Sequence, residues 1–400
     1  MVYRLPSAFA ADALQNAFFD SRDGRAKPGK PGIDGCTAGE FKSNLAKNIA
    51  DIRSDLRRDV FQFSRLRGVS IQKSNGGARL IAIPTVRDRL VQRAALCHLE
   101  RDSHFPRPSK ISFGFRKGQS LPDAQLRAAE LRTAKHWAIK TDISQFFDRI
   151  DRDKVRGMLA RTVRSPLVRR VLELSLETEI DSSLKGIRDL QKTLGIRKGT
   201  GLRQGMPVSP CLSNLALKAF DASLVDRGIS AVRYADDIVA FFSNKAECYD
   251  GFDFIKDRLN HEGLTVPALA SGGKSMICAP SETLPFLGVE IKRVGEGSYK
   301  IGAPFSKIDQ VRARLGEVST IEYAHRNKLT IHEIMKSIDA IVGGYDAAMA
   351  IAVNRDGFFE RLSACRESAV QTLIKSVLTG KVASDLTVRQ KQALGLESYN

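Results

Sequence analysis

Asp236 and Asp237 stand side by side inside Ala231-Val-Arg-Tyr-Ala-Asp-Asp-Ile-Val-Ala-Phe-Phe242. The run up to Tyr234 is β-prone and the run from Ile238 to Phe242 is apolar, so the sequence predicts a hairpin with the acids at its turn. Adjacent carboxylates repel and push at least one pKa up, and a hard divalent cation with oxygen ligands removes that cost. Taken alone the dipeptide also reads as an idle turn, because aspartate is common in turns. Trp137-Ala-Ile-Lys-Thr-Asp-Ile-Ser-Gln-Phe-Phe147 supplies a third acid in a similar setting, Asp142 at the end of a short apolar strand. Two Mg²⁺ ions roughly 3.5–4 Å apart, bridged by such carboxylates, serve in-line phosphoryl transfer, one at the attacking oxygen and one at the leaving oxygen. Three acids on two strand ends suffice for that chemistry.

The chain around these acids has 400 residues, 42% of them hydrophobic, enough for a folded core divided into two or three domains. Its formal charge of +18 points to a polyanionic partner, foremost nucleic acid. The excess is concentrated: Asp51 to Lys140 carries 19 Lys/Arg against 8 Asp/Glu. The cysteines, Cys36, Cys97, Cys211, Cys248, Cys278 and Cys365, form no C-x-x-C pair, which argues against zinc or a disulfide framework. No run reaches the ~18 apolar residues of a membrane span, and Arg4, Pro6 and Asp12 interrupt any signal-peptide core. The expected location is the cytoplasm, with no membrane partner.

In chain order, a helix is expected around Ala8 to Phe19, then a polar tether from Ser21 to Pro31. After the turn Gly32-Ile-Asp-Gly35, Thr37-x-x-Glu40 reads as a capping box ahead of an amphipathic helix with Phe41, Leu45, Ile49, Ile52 and Leu56. Val60 to Ile83 reads as strands around Asn75-Gly-Gly77, a strong hairpin signal. Lys73 and Arg79 flank that turn and could face one anion, or could be two solvated surface charges. A helix from about Val86 to Glu100 carries Arg87, Arg89 and Arg93. Ile111-Ser-Phe-Gly-Phe-Arg-Lys-Gly118 mixes aromatics and cations, with Phe113, Arg116 and Lys117 suited to nucleic acid, or to an ordinary loop with buried Phe. Gly201-Leu-Arg-Gln-Gly-Met-Pro-Val-Ser-Pro210 opens on a helix with Ser209 as N-cap and Pro210 at its first position. From about Ser306 the chain is nearly all helix, a small separate bundle.

The order of these motifs resembles a bacterial reverse transcriptase of the group II intron-like kind, over roughly residues 31–345. The matching stretches are Gly32-Ile-Asp-Gly35; Lys73 with Arg79, Ile83-Pro84, Asp88-Arg89 and Gln92; Ser112-Phe-Gly-Phe-Arg116; Asp142 with Phe146-Phe147; Gln204-Gly205 with Ser209-Pro210; Tyr234-Ala-Asp-Asp237; Lys274; and Phe286-Leu-Gly288. The resemblance implies an α+β right-hand polymerase. Residues 1–30 would be an N-terminal helix and tether, 31–136 fingers, 137–160 palm, 161–200 a mainly helical insertion, 201–292 palm, and 303–400 a helical thumb with C-terminal helices. Gly343-Gly-Tyr345 resembles the thumb signature.

Roles follow from the same resemblance. Asp142, Asp236 and Asp237 would be catalytic and hold two Mg²⁺ ions, with Mn²⁺ as the alternative. Lys73 and Arg79 would clamp the incoming dNTP, with Gln204 and Gly205 against the nascent base pair and Phe147 as steric gate against a ribose 2′-hydroxyl. Lys274 would be a general acid toward pyrophosphate. Phe286, Leu287 and Gly288 would form the primer grip, and Arg87, Arg89, Arg93, Phe113, Arg116 and Lys117 would contact nucleic acid. The implied partners are an RNA template, in particular a structured noncoding RNA encoded nearby, dNTPs and the DNA product; homo-oligomerisation stays open. No His/Cys cluster, ribonuclease H-like segment or Asn-Ala-x-x-His retron pattern is found in the chain, so a stand-alone polymerase is expected, and its resemblance to stand-alone bacterial members implies a role in phage defence. A maturase-like RNA binder and an untemplated or RNA-synthesising polymerase are the alternatives.

Overall fold

Antiparallel hairpins and amphipathic helices alternate along the chain, giving an α+β fold in the computed structural model, which describes residues 5–19, 29–72, 76–378 and 387–394. The N-terminal helix and most of the tether divide accordingly: Ala11–Phe18 is helical, and 20–28 lie outside the described residues. The chain forms two compact units, Met1–Ser120 with Ile139–Ile277, and Leu121–Ala138 with Cys278–Asn400.

In the first unit, β1 (Arg67–Gln72) pairs antiparallel with β2 (Ala78–Ile83) in the register Gln72↔Ala78. That register leaves five residues, 73–77, between the paired positions. Lys73 and Asn75 lie outside the described residues. Thr37 and Glu40 form the reciprocal capping box their spacing predicts. Thr85 caps the helix Val86–Arg101 through the Asp88 amide. Beneath the hairpin Leu66, Leu80, Ala82, Ile180 and Met206 form a buried cluster, and the apolar face of the helix Lys185–Thr193, Ile187 and Leu190, packs onto it. The helix Ser209–Ala216 corrects one expectation: Ser209 is already helical, and its hydroxyl donates to the Arg203 carbonyl at 2.8 Å instead of capping.

A four-stranded sheet runs in the order β4 (Ser230–Tyr234), β5 (Asp237–Phe242), β3 (Trp137–Asp142), β6 (Met276–Cys278). Ile139, Val232, Val239, Ala240 and Phe241 are buried in it, as continuous apolar runs require when both faces are covered.

In the second unit β7 (Leu284–Phe286), β8 (Val289–Val294) and β9 (Ser298–Gly302) form an antiparallel meander. Leu121–Ala138 groups here because Arg132, fully buried, donates to the carbonyls of Ile291, Ala279 and Glu282 and stacks over Tyr299. The helices Ser306–Val318, Ile331–Ala348 and Arg355–Leu378 follow, with Gly343-Gly-Tyr345 inside the second.

Candidate active site

The hairpin β4–β5 pairs Tyr234 with Asp237, so Ala235 and Asp236 form the turn and Asp237 is the first residue of β5. Asp142 is the last residue of β3, the strand next to β5. The Ile143 amide donates to the Asp236 carbonyl at 3.1 Å, fastening the turn to the chain just past Asp142. All three acids therefore lie on adjoining strand ends.

A buried polar network holds the turn. Ala235 has φ +58, a conformation that strains a residue with a Cβ by about 1–2 kcal/mol. Arg233, 0% exposed, donates to the Ala235 carbonyl at 3.0 Å and to Asn214 Oδ1 at 3.1 Å through Nη1, and to Ser112 Oγ at 2.9 Å through Nη2. Its Nε and Nη2 grip both oxygens of buried Asp221, at 2.7 and 2.6 Å. Asn214 in turn donates to the Gly114 carbonyl. A Cβ on Gly114 would meet the Ala235 nitrogen at 2.5 Å, so the loop lies directly against the turn. None of Arg233, Asp221 or Asn214 was expected as a site residue. The legible signal was an arginine inside an apolar strand, a buried charge that demands a partner.

Burial raises the Asp237 carboxyl to about 6, helped by the neighbouring charges of Asp236 and Asp142 and opposed by Lys140. Asp236 is also raised, first by burial and then by Asp142, with Arg79 and Lys274 pulling the other way. Lys274 Nζ sits 2.7 Å from Asp142 Oδ2. Its loop is closed by the Ala270 amide on the Ser275 carbonyl, and Ser275 Oγ bonds Thr141 Oγ1 at 2.7 Å. The other Asp142 oxygen, Oδ1, is buried without a hydrogen-bond partner. An orphaned carboxylate oxygen beside two acids whose charge is disfavoured is a donor set that fits a hard divalent cation. Among the described residues no three His, Cys, Asp or Glu side chains already converge as a ligand cluster; Lys274 supplies positive charge at Asp142 instead.

The titration has a direction. Asp237 is ionised above about pH 6 and protonated below it, and a cation competes with that proton. Addition of Mg²⁺ is expected to raise the melting temperature at pH 7.5 and to do so much less at pH 5.5, measured by thermal shift against EDTA. An equal shift at both pH values would exclude Asp237 as a ligand.

Phe147 is the second residue of the short helix Phe146–Arg149, which follows Gln145 at φ +50. Its half-buried ring meets Phe115 edge-on at 6.3 Å, and its carbonyl accepts from the Leu202 amide at 2.6 Å. The loop carrying Gln204 and Gly205 thereby bridges two elements, because the Gln204 carbonyl accepts from the Ala82 amide of β2 at 2.7 Å. Glu179 secures this loop by pairing with buried Arg152 and Arg203; burial disfavours its charge, but the Gly199 amide and both arginines hold its carboxyl below the usual range. Gly205 has φ +113, and a Cβ there would stand 2.4 Å from the Ala82 carbonyl oxygen. Gly205→Ala is expected to cost about 2 kcal/mol or more, read as a lowered urea midpoint.

Arg79, exposed on β2, lies within electrostatic range of Asp236. The helix Val86–Arg101 corrects part of the expected nucleic-acid surface. Arg89 is 7% exposed and donates to the Lys30 carbonyl, so its guanidinium braces the end of the tether and is not open to a phosphate. Arg87 pairs with Asp55 and stacks 4.2 Å over Phe61. Asp88 and Gln92 are buried as well. Arg93 is half-buried, Phe113 is half-buried with its amide on the Arg233 carbonyl, Arg116 reaches the Ser109 carbonyl at 3.4 Å, and Lys117 is exposed. In the second unit Leu287 and Gly288, both at positive φ, turn β7 into β8; Phe286 is buried and Gln125 donates to the Leu287 carbonyl.

The profile of the family described as "Reverse transcriptase (RNA-dependent DNA polymerase)" matches residues 71–291. Protein YkfC of Escherichia coli K12 is 32% identical over 208 residues, 50% of this chain and 51% of that protein. Retron Ec86 reverse transcriptase of Escherichia coli is 26% identical over 224 residues, 54% of this chain and 60% of that protein. The putative COX1/OXI3 intron 1 protein of Saccharomyces cerevisiae is 28% identical over 204 residues, 50% of this chain and 23% of that protein. The matched part thus spans about half or less of YkfC and of the intron protein, and somewhat more of the retron enzyme.

Proposed function

The chain belongs to the reverse transcriptase (RNA-dependent DNA polymerase) family, and from that premise we propose that it synthesises DNA from dNTPs on an RNA template. The observation that carries this reading is the fastening of the Asp236 turn to the end of β3, which gathers Asp142, Asp236 and Asp237 on adjoining strand ends. In this proposal the three carboxylates hold two Mg²⁺ ions, or Mn²⁺, and the ions when bound supply Lewis-acid stabilisation of the attacking and leaving oxygens. Arg79, with Lys73, binds the triphosphate and offsets charge that grows on the leaving group. Lys274 balances Asp142 before substrate arrives and is the proton donor once released from it. Phe147 orients the sugar and excludes a 2′-hydroxyl; the Gln204-Gly205 backbone, pinned to β2, supports the base pair.

The primer grip is assigned to the Phe286–Gly288 turn, the thumb to the C-terminal helices, and fingers and palm to the segments before them. The favoured template is a structured noncoding RNA and the favoured setting phage defence in the cytoplasm; no helix among the described residues is long and apolar enough to cross a membrane. A second reading, a maturase-like RNA binder, draws on the charge of +18 and on the Lys274–Asp142 pair.

The test is to purify the protein with its RNA, sequence that RNA, and supply Mg²⁺ with labelled dNTPs or NTPs. DNA complementary to the bound RNA is the expected product. Non-complementary product would mean untemplated synthesis, and bound RNA without product would favour the binder. Phe147→Ala is expected to improve ribonucleotide use by about tenfold or more relative to dNTPs, in single-nucleotide kcat/KM; an unchanged ratio removes the gate.

A further inference from the structure

Outside the polymerase motifs, the first unit carries a cleft of about 500 Å³ beneath the helix Lys185–Thr193. Its apolar lining is Phe63, Ile180 and Ile196, and its polar lining includes Ser64, Ser182 and Gln191. Arg65, Arg188, Lys192 and Lys198 stand around it. The two acids of its wall are already matched: Glu179 by Arg152 and Arg203, and Glu177 by Arg156 at 3.6 Å. Residues 185–198 carry five Lys/Arg and one Asp, with Lys185, Arg188 and Lys192 at the spacing of one helical face. Ile187 and Leu190, on the other face, pack on the cluster below, so the orientation of the basic face is set by burial.

We propose that this cleft is a second nucleic-acid site, taking single-stranded RNA with a base against Phe63 and Ile196 and its phosphates on Arg188, Lys192 and Lys198. Charge complementarity selects a polyanion, and the apolar floor with amide and hydroxyl groups beside it suits a stacked base better than a bare phosphate. The helix is wired to the catalytic segment: Gln145 Nε2, three residues past Asp142, donates to the Leu194 carbonyl at 3.0 Å, and the Gln145 side-chain oxygen accepts from Arg149. RNA held here is therefore tethered to the element that carries Asp142 and Phe147.

The experiment uses the full chain and its Arg188→Gln/Lys192→Gln/Lys198→Gln variant, each first saturated with an unlabelled blunt RNA–DNA duplex. Binding of fluorescein-labelled U12 RNA is followed by anisotropy at several salt concentrations. The variant is expected to lose about tenfold or more in U12 affinity, with the salt slope lowered by about 2, since each lost phosphate contact on a single strand contributes roughly 0.7. Its kcat on a short pre-annealed template–primer should stay unchanged. Unaltered affinity and slope would overturn the proposal, as would competition of U12 by the duplex in the native chain, which would make the two sites one. ATP or tripolyphosphate binding that the variant loses, with U12 binding intact, would replace the strand by a free nucleotide and overturn it too. The binding readout needs no polymerisation, so its failure is distinguishable from failure of the proposed activity.

Discussion

Asp236→Asn is expected to lower DNA synthesis at least about a thousandfold, equivalent to about 4 kcal/mol of transition-state stabilisation. The substitution keeps size and most hydrogen bonding while removing one negative charge from a place that burial and Asp142 already make unfavourable for charge. Two consequences separate this from unfolding. Asparagine relieves repulsion in the metal-free protein, so without metal the variant should melt at the same temperature as the native chain or higher. The stabilisation that Mg²⁺ confers at pH 7.5 should shrink. RNA affinity should change little, because the substitution removes a negative charge and no cation that could hold a phosphate. Steady-state extension on a template–primer, thermal shift with and without Mg²⁺, and filter binding give the three readings. Retained synthesis would sink the catalytic assignment. Loss of synthesis together with a lower metal-free melting temperature would point to packing in place of charge.

The second large effect concerns Arg233. Replacing it alone by Met leaves Asp221 buried and unpaired, which costs about 3–5 kcal/mol. Arg233→Met combined with Asp221→Leu removes both charges, and apolar replacements of a buried pair are often neutral or stabilising. The double variant should therefore recover most of the melting temperature. It does not recover the donor to the Ala235 carbonyl, and without that bond the strained turn at φ +58 relaxes and shifts Asp236. A displacement near 1 Å can cost on the order of 10²-fold in rate, so kcat is expected to stay low while the dNTP KM changes little. A double variant that is both stable and fully active would show that Arg233 only packs. Arg233→Lys, which retains charge but not the forked geometry, should be intermediate in stability and poor in kcat.

Local pattern was enough to single out the three acids as candidates and to place the elements next to them. Tyr234 to Phe242 read as a hairpin because β-prone and apolar runs flank two turn-prone acids, and it forms one. The Thr37–Glu40 capping box and the helix over Val86–Arg101 were legible for the same reason: their causes lie within a few residues. Long-range pairing was not. That the Ile143 amide meets Asp236, that Gly205 lies on β2, and that Arg233 joins Asp221, Asn214 and Ser112 depend on segments far apart in the chain being folded together, and no local pattern encodes such distances. Tertiary structure also overturned the expectation for one basic residue. Arg89, an arginine on a basic helix, is folded inward onto the Lys30 carbonyl, because a buried guanidinium with carbonyl acceptors can brace a chain as readily as an exposed one can bind phosphate. Composition reported how much positive charge the chain carries, and only packing decided which cations face outward to meet a polyanion.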